Sequence, residues 1–113
     1  MAMTTGFVTH ENLEVWIEAR NLISKIYRAS KKFPKEEMYE LTNQIRRGAI
    51  SVPSNIAEGS GRNTTKDKLQ FFYISRGSLF ELKTQMFVAL DFNFITEKGK
   101  NDLKSTLNFV KSF

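Results

Sequence analysis

Apolar residues recur at steps of three and four along four successive segments of the chain, which is the spacing of one face of an α-helix. The first segment, residues 12–32, has glutamates near its start and lysines near its end, as the helix dipole favours. Its apolar positions are Leu13, Trp16, Ile17, Ala19, Leu22, Ile23, Ile26 and Tyr27. The pattern predicts a first helix over this segment.

A second helix is predicted directly after Pro34, because proline lacks the N–H that would continue the first one. Its apolar stripe is predicted to consist of Met38, Leu41, Ile45, Ala49, Val52 and Ile56. Pro53 falls inside this pattern, where it removes one backbone hydrogen bond. A kink of the second helix is therefore expected at Pro53.

The third and fourth helices are predicted from their start signals. Gly59 and Gly61 mark a loop, since glycine can adopt the left-handed conformation that often ends a helix. Thr64 is a predicted N-cap for a third helix over residues 65–90, and Thr96 for a fourth. The predicted core positions of these two helices are Leu69, Phe72, Tyr73, Leu79, Leu82, Met86, Leu90, Leu103, Leu107, Val110 and Phe113.

Four amphipathic helices with short connections favour an all-α fold, an antiparallel up-down-up-down four-helix bundle. Residues 12–113 are expected to form this single domain, and residues 1–11 a flexible N-terminal leader. A length of 113 residues suits one hydrophobic core. No stretch reaches the roughly 18 apolar residues that a membrane span requires, so no membrane partner is expected.

The amino-acid composition excludes several kinds of catalytic and metal-binding site. The chain has no cysteine and a single histidine, His10, so a thiolate nucleophile, a disulfide and a zinc–thiolate site are excluded. Absent cysteine agrees with a reducing compartment, and a cytoplasmic location is expected. Glu58 and Glu81 could serve as an acid–base pair, but salt bridges to Arg62 or Arg76 are the favoured interpretation. We expect no enzymatic activity, no cofactor and no metal.

Charge supplies the main functional hypothesis. Lys and Arg total 17 against 12 Asp and Glu, a net charge of +5, which suits an acidic partner such as RNA or DNA. Five cations are predicted to cluster around one end of the second helix and the loop after it: Arg46, Arg47, Arg62, Lys66 and Lys68. The hypothesis is a nucleic-acid-binding patch. The alternative is a solvated basic surface that keeps the protein soluble.

A polar stripe lies beside the apolar stripe of the second helix. Its members share a face at steps of three and four: Gln44, Arg47, Ser51, Asn55 and Glu58. They are predicted to form either a ligand groove or subunit contact, or hydrogen bonds to Ser75, Ser78 or Glu81 on the third helix.

Aromatic residues at helical spacing are predicted to be core rather than stacking platforms: Trp16, Tyr27, Phe71 and Phe72. Any aromatic left exposed on the third helix, such as Phe80 or Phe87, would instead indicate an oligomer interface.

The run QIRRGAISVPSNIAEGSGR at residues 44–62 closely resembles the signature of the four-helix-bundle protein family, also called 23S ribosomal RNA intervening-sequence proteins. LEVW at 13–16, FPKEE at 33–37 and GSLFEL at 77–82 extend the resemblance over nearly the whole chain. The resemblance implies a left-handed antiparallel bundle, a homopentameric ring and no catalytic residues. Members are similar to the accessory protein of diversity-generating retroelements, a basic pentamer that binds nucleic acid and a reverse transcriptase.

Two functions are therefore expected from the sequence. The first is an oligomeric nucleic-acid-binding or nucleoprotein accessory module, with a reverse transcriptase as a protein partner by analogy alone. The second is a structural or protein-interaction scaffold in which the positive charge has no role in binding nucleic acid.

Overall fold

The computed structural model describes residues 13–112, which contain four α-helices and no strand. The helices, in chain order α1 to α4, are Glu14–Ser30, Asn43–Ser60, Thr65–Asp91 and Glu97–Lys111. The predicted N-caps of the last two are confirmed: Thr64 Oγ1 accepts from the N–H of Asp67 at 3.2 Å, and Thr96 Oγ1 accepts from Gly99 at 3.0 Å.

Each helix packs against two others, so that α1 contacts α2 and α4, and α3 contacts the same two helices. Contacts between α2 and α3 join late residues of one to early residues of the other: Gly59 lies against Phe72, and Ser51 bonds Ser78. This register is that of antiparallel neighbours. The all-α four-helix prediction is confirmed.

The core lies along the common axis of the four helices. Its side chains belong to the predicted stripes, except Phe33 and Ala89, which the stripes did not include. The largest that are fully enclosed are Leu22, Ile26, Ile45, Leu82, Met86 and Leu107. Burial of such side chains contributes roughly 1.5–3 kcal/mol each, and this apolar contact holds the amphipathic helices together.

The start of the second helical segment differs from the prediction. Lys35–Glu37 forms a 3-10 turn and Met38–Thr42 a π-helical turn, and α2 proper begins at Asn43. Glu40 has non-helical dihedral angles, with φ −115° and ψ −111°. Because this break shifts the phase of the preceding residues, Met38 is exposed and its predicted place in the core is wrong.

Two predicted core residues of α3 are also exposed, Leu69 and Tyr73. They lie in its first turns and line a cleft of about 680 Å³ together with Leu13 of α1's N-cap and Val110 of α4. These turns pack against the end of α2 and lie at the open side of the cleft, which leaves their outer faces uncovered.

Glycine and proline in α2 act differently from expectation. The helix continues through Pro53 to Ser60, and the kink there stays a prediction. Gly61 is the C-cap with φ −85°, so the predicted left-handed conformation is wrong. Gly59 is helical and buried, and a Cβ there would lie 2.8 Å from Phe72 Cε1. Glycine is therefore required at this position by the close approach of Phe72, and not by an unusual backbone conformation.

No helix among residues 13–112 is long and apolar enough to cross a membrane. The predicted leader at 1–11, with His10, and the predicted core residue Phe113 lie outside the described residues.

Candidate nucleic-acid interface

The five cations predicted to form one cluster lie in two groups. Arg46 and Arg47 are in the first turn and a half of α2, whereas Arg62, Lys66 and Lys68 follow its end. From Arg46 the helix continues for fourteen residues to Ser60, a rise of about 21 Å, before Arg62 follows. The expectation of a single patch is therefore wrong, because α2 runs through Pro53 and carries the two groups to opposite ends.

Arg46 connects α2 to α1. Its Nε donates to Ser30 Oγ at 2.8 Å, and its guanidinium lies 4.6 Å from the centroid of the Tyr27 ring. Both partners are in the last turn of α1. The half-buried Arg46 thus fixes the α1–α2 connection, while its neighbour Arg47 is exposed.

Arg62, Lys66 and Lys68 form a group that we call the basic corner, between α2 and α3. Arg62 Nη2 donates to Glu58 Oε2 at 2.8 Å, and the guanidinium lies 4.6 Å from the Phe71 ring centroid. Lys66 is exposed and Lys68 half-buried in the first turn of α3. The N-cap of Thr64 fixes where that turn begins and so positions both lysines.

The polar stripe of α2 meets α3 at its middle. Ser51 Oγ and Ser78 Oγ are 2.9 Å apart, and Asn55 Nδ2 donates to Ser51 Oγ at 3.0 Å. Ser75 Oγ, also on α3, donates to the carbonyl oxygen of Val52 at 2.9 Å. These bonds satisfy polar groups between the two helices, which is the interhelical hydrogen-bond arrangement proposed from sequence.

The ends of the stripe have other surroundings. Gln44 and Arg47 are exposed, and Glu58 pairs with Arg62. In the antiparallel register Glu58 lies opposite the region of Phe72 on α3. Phe72 precedes Glu81 by nine residues, which places Glu81 about 14 Å farther along the helix. The two carboxylates are thus not brought together as an acid–base pair.

Sequence reasoning missed a second basic region, along the seam between α3 and α4. Lys111 Nζ lies 4.9 Å from the Phe80 ring centroid, and Lys100 Nζ lies 4.7 Å from that of Phe87. Lys104 Nζ is 5.7 Å from the same Phe87 ring. The signal available in the sequence was the seven-residue spacing of Phe80 and Phe87, which places both on one face of α3.

Most of the Lys and Arg side chains form no ion pair with a carboxylate of the described residues. All 17 Lys and Arg residues of the chain lie within residues 13–112. Ion pairs in this part of the chain number two: Arg62 with Glu58, and Lys100 with Glu97. Counted with all 12 Asp and Glu, the chain carries a net charge of +5, and this net positive field acts on solvent and on any polyanion that approaches.

These features define a class: a small all-α bundle with antiparallel neighbouring helices, a hydrogen-bonded polar stripe and a basic surface. The sequence profile of the 23S rRNA-intervening sequence protein family matches residues 11–112, and the chain belongs to this family. The resemblance seen in the QIRRGAISVPSNIAEGSGR run is thereby confirmed. No curated protein matches the chain.

Proposed function

We propose that this protein is a non-enzymatic nucleic-acid-binding accessory protein that acts as an oligomer. The observation that carries the proposal is the net charge of +5, from 17 Lys and Arg against 12 Asp and Glu, together with the small number of ion pairs, two among residues 13–112. Membership of a family named for an intervening sequence of ribosomal RNA agrees with an RNA-related role. Binding through phosphates is expected to be salt-dependent and largely independent of sequence.

The basic corner is the proposed point of contact with the phosphate backbone. Lys66 is exposed with no carboxylate within 4.0 Å among the described residues, and the N-terminal end of α3 adds the positive pole of a 27-residue helix. A ring of several copies would multiply this charge, and the family resemblance suggests a homopentamer.

An electrophoretic mobility shift with mixed RNA and DNA, repeated across a salt series, tests the proposal. The variant Lys66→Glu/Lys68→Glu reverses two charges at the basic corner. The matched control Lys31→Glu/Lys32→Glu makes the same change in charge at the exposed end of α1, the opposite end of the bundle.

We expect wild-type affinity to fall steeply with salt, and the corner variant to lower the slope of log K against log salt by roughly 2. The control should retain most of the affinity. Equal losses in both variants would show diffuse attraction to net charge, and no binding by the folded wild-type protein would reject the nucleic-acid function.

One observation favours the alternative, an interaction scaffold. A shallow groove between α1 and α2 is lined by Trp16, Ile23, Ile50 and Pro53, and Ile50 is itself exposed. Exposed apolar side chains around a groove are typical of protein contacts. Light scattering on Ile50→Asp measures whether this face joins copies of the chain. A drop from the wild-type mass to that of a monomer would assign the face to the oligomer, which both functions allow, whereas an unchanged mass would leave the face open to another protein, as the scaffold requires.

A further inference from the structure

Three aromatic side chains lie in one row on the outer face of α3. Tyr73, Phe80 and Phe87 are seven residues apart, so successive rings are about 20° out of line and about 10.5 Å apart along the axis. Their exposed fractions are 60%, 46% and 37%. Large aromatic residues usually supply core contacts, whereas each member of this row leaves more than a third of its surface open to solvent, with lysines of α4 over part of Phe80 and Phe87.

Cations accompany these rings. Phe80 has Lys111 Nζ at 4.9 Å and Arg76 Cζ at 6.0 Å from its centroid. Tyr73 lines the adjoining cleft together with the same Arg76 and Lys111. Phe87 has the ammonium groups of two α4 lysines over it. Lys66 of the basic corner continues the row, since it lies seven residues before Tyr73.

Acidic residues along this row are few. Of the two lysines over Phe87, Lys100 is 8% exposed and bonded to Glu97 at 2.8 Å. The other, Lys104, has no carboxylate within 4.0 Å among the described residues, and the same holds for Arg76 and Lys111. Their long side chains can swing from the rings to an incoming anion without disturbing the core.

Alternating rings and cations match the chemistry of a single-stranded nucleic acid, whose bases stack on aromatic faces while its phosphates meet Lys and Arg. A duplex offers no free base faces to the rings. The ring spacing of about 10.5 Å also exceeds the roughly 3.4 Å rise per nucleotide of a stacked strand. Bases that stack on successive rings must therefore unstack from one another, which a flexible single strand allows. Exposure of Phe80 and Phe87 also meets the condition under which the sequence predicted an oligomer interface. Like charges oppose a two-fold contact between two such rows, whereas a head-to-tail ring would set a different surface against the row, and the dissociation test below distinguishes that occupant.

We propose that Tyr73, Phe80 and Phe87, with Arg76, Lys104 and Lys111, form a strip that binds single-stranded nucleic acid and discriminates against duplexes. The strip deepens the proposed function and rests on it, because it names the class of nucleic acid that the basic surface attracts. The basic corner supplies the phosphate contacts at one end of the strip.

Fluorescence anisotropy near physiological salt tests the strip, with labelled oligouridine, labelled oligothymidine and an RNA duplex carrying the same number of phosphates. The variant Tyr73→Leu/Phe80→Leu/Phe87→Leu removes the ring faces but keeps apolar bulk and every charge. Tyr39→Leu is the matched control, since Tyr39 is an exposed ring on the π-helical turn, away from α3.

We expect the triple variant to bind the single strands at least about tenfold more weakly, because stacking contributes roughly 1–3 kcal/mol per base. Duplex binding and the Tyr39→Leu variant should stay within about twofold of wild type. The ratio of oligouridine to oligothymidine affinity separates an RNA-binding strip from one that accepts either sugar.

Several results would overturn the strip. Unchanged single-strand affinity in the folded triple variant, or equal wild-type affinity for duplex and single strand, would reject it while leaving the nucleic-acid function in place. No binding to any probe would reject both. A wild-type oligomer that the triple variant dissociates would assign the rings to a subunit contact instead.

A second measurement needs no variant. Photo-cross-linking of wild-type protein to 5-bromouridine oligonucleotides, followed by mass spectrometry, should place cross-links on peptides that contain Tyr73, Phe80 or Phe87. Cross-links confined to peptides outside α3 would contradict the proposal.

Discussion

Gly59→Ala should destabilise the bundle, although alanine is the better helix former. Gly59 is buried near the end of α2, and its Cβ would lie 2.8 Å and 3.0 Å from two ring carbons of Phe72. It would also lie 3.1 Å from the carbonyl oxygen of Lys68. The ring can tilt, but the carbonyl belongs to the backbone of α3, so α2 and α3 must move apart.

Two opposing terms set the size of the effect. Overpacking of this kind costs typically about 1–3 kcal/mol, whereas alanine in place of glycine inside a helix gains at most about 1 kcal/mol. The gain is smaller for a residue next to the helix end. We therefore expect the free energy of unfolding to fall by about 1–2 kcal/mol, which for a chain of this length lowers Tm by roughly 4–8 °C.

Gly77→Ala is the matched control. A Cβ at Gly77 in the middle of α3 meets nothing within 4 Å, so only the helix-propensity gain of about 0.5–1 kcal/mol remains. Thermal and urea unfolding followed by circular dichroism at one protein concentration measures both variants. If Gly59→Ala is as stable as wild type or more so, while Gly77→Ala is stabilised as expected, the close approach of α2 and α3 does not limit residue 59.

Three further substitutions separate stability from binding. Ser75→Ala removes the hydrogen bond to the carbonyl of Val52 and should cost about 0.5–1.5 kcal/mol in urea unfolding; an unchanged midpoint would show that the bond adds nothing. Thr64→Ala removes the N-cap of α3 and should lower the free energy of unfolding by about 0.5–2 kcal/mol. The helical circular dichroism signal should fall by no more than the fraying of one turn would cause. Glu58→Gln frees Arg62 and should leave stability within about 0.5 kcal/mol, because an exposed ion pair contributes little. The same variant should bind RNA more tightly in the salt-series mobility shift, and weaker binding would contradict a role for Arg62 in phosphate contact.

The helices were predictable from the sequence because periodicity and capping are local properties. Thr64 and Thr96 begin α3 and α4 as predicted, and the buried positions of α1 follow the apolar spacing. The approach to α2 was not predictable, because the apolar spacing of residues 38–45 continues across Glu40, where the backbone leaves the helical conformation. Propensity alone favoured an unbroken helix there.

The candidate site was harder to predict than the fold. Nearness in sequence suggested that Arg46 and Arg62 share a patch, but a helix that continues past Pro53 separates them. The contacts of Phe80 with Lys111, and of Phe87 with Lys104, join residues of different helices. Such pairs are set by the register of antiparallel packing, which no local pattern encodes.

The contact between α1 and α4 has a consequence for how the chain folds. The hydrogen bond from Lys25 Nζ to Thr106 Oγ1, 2.5 Å long, joins residues 81 positions apart. The other helix pairs in contact are neighbours in sequence: residues 61–64 connect α2 with α3, residues 92–96 connect α3 with α4, and the longer segment 31–42 connects α1 with α2. Loop-closure entropy therefore makes the α1–α4 contact the last to form, and native-state hydrogen exchange should show it opening before α2 and α3 separate.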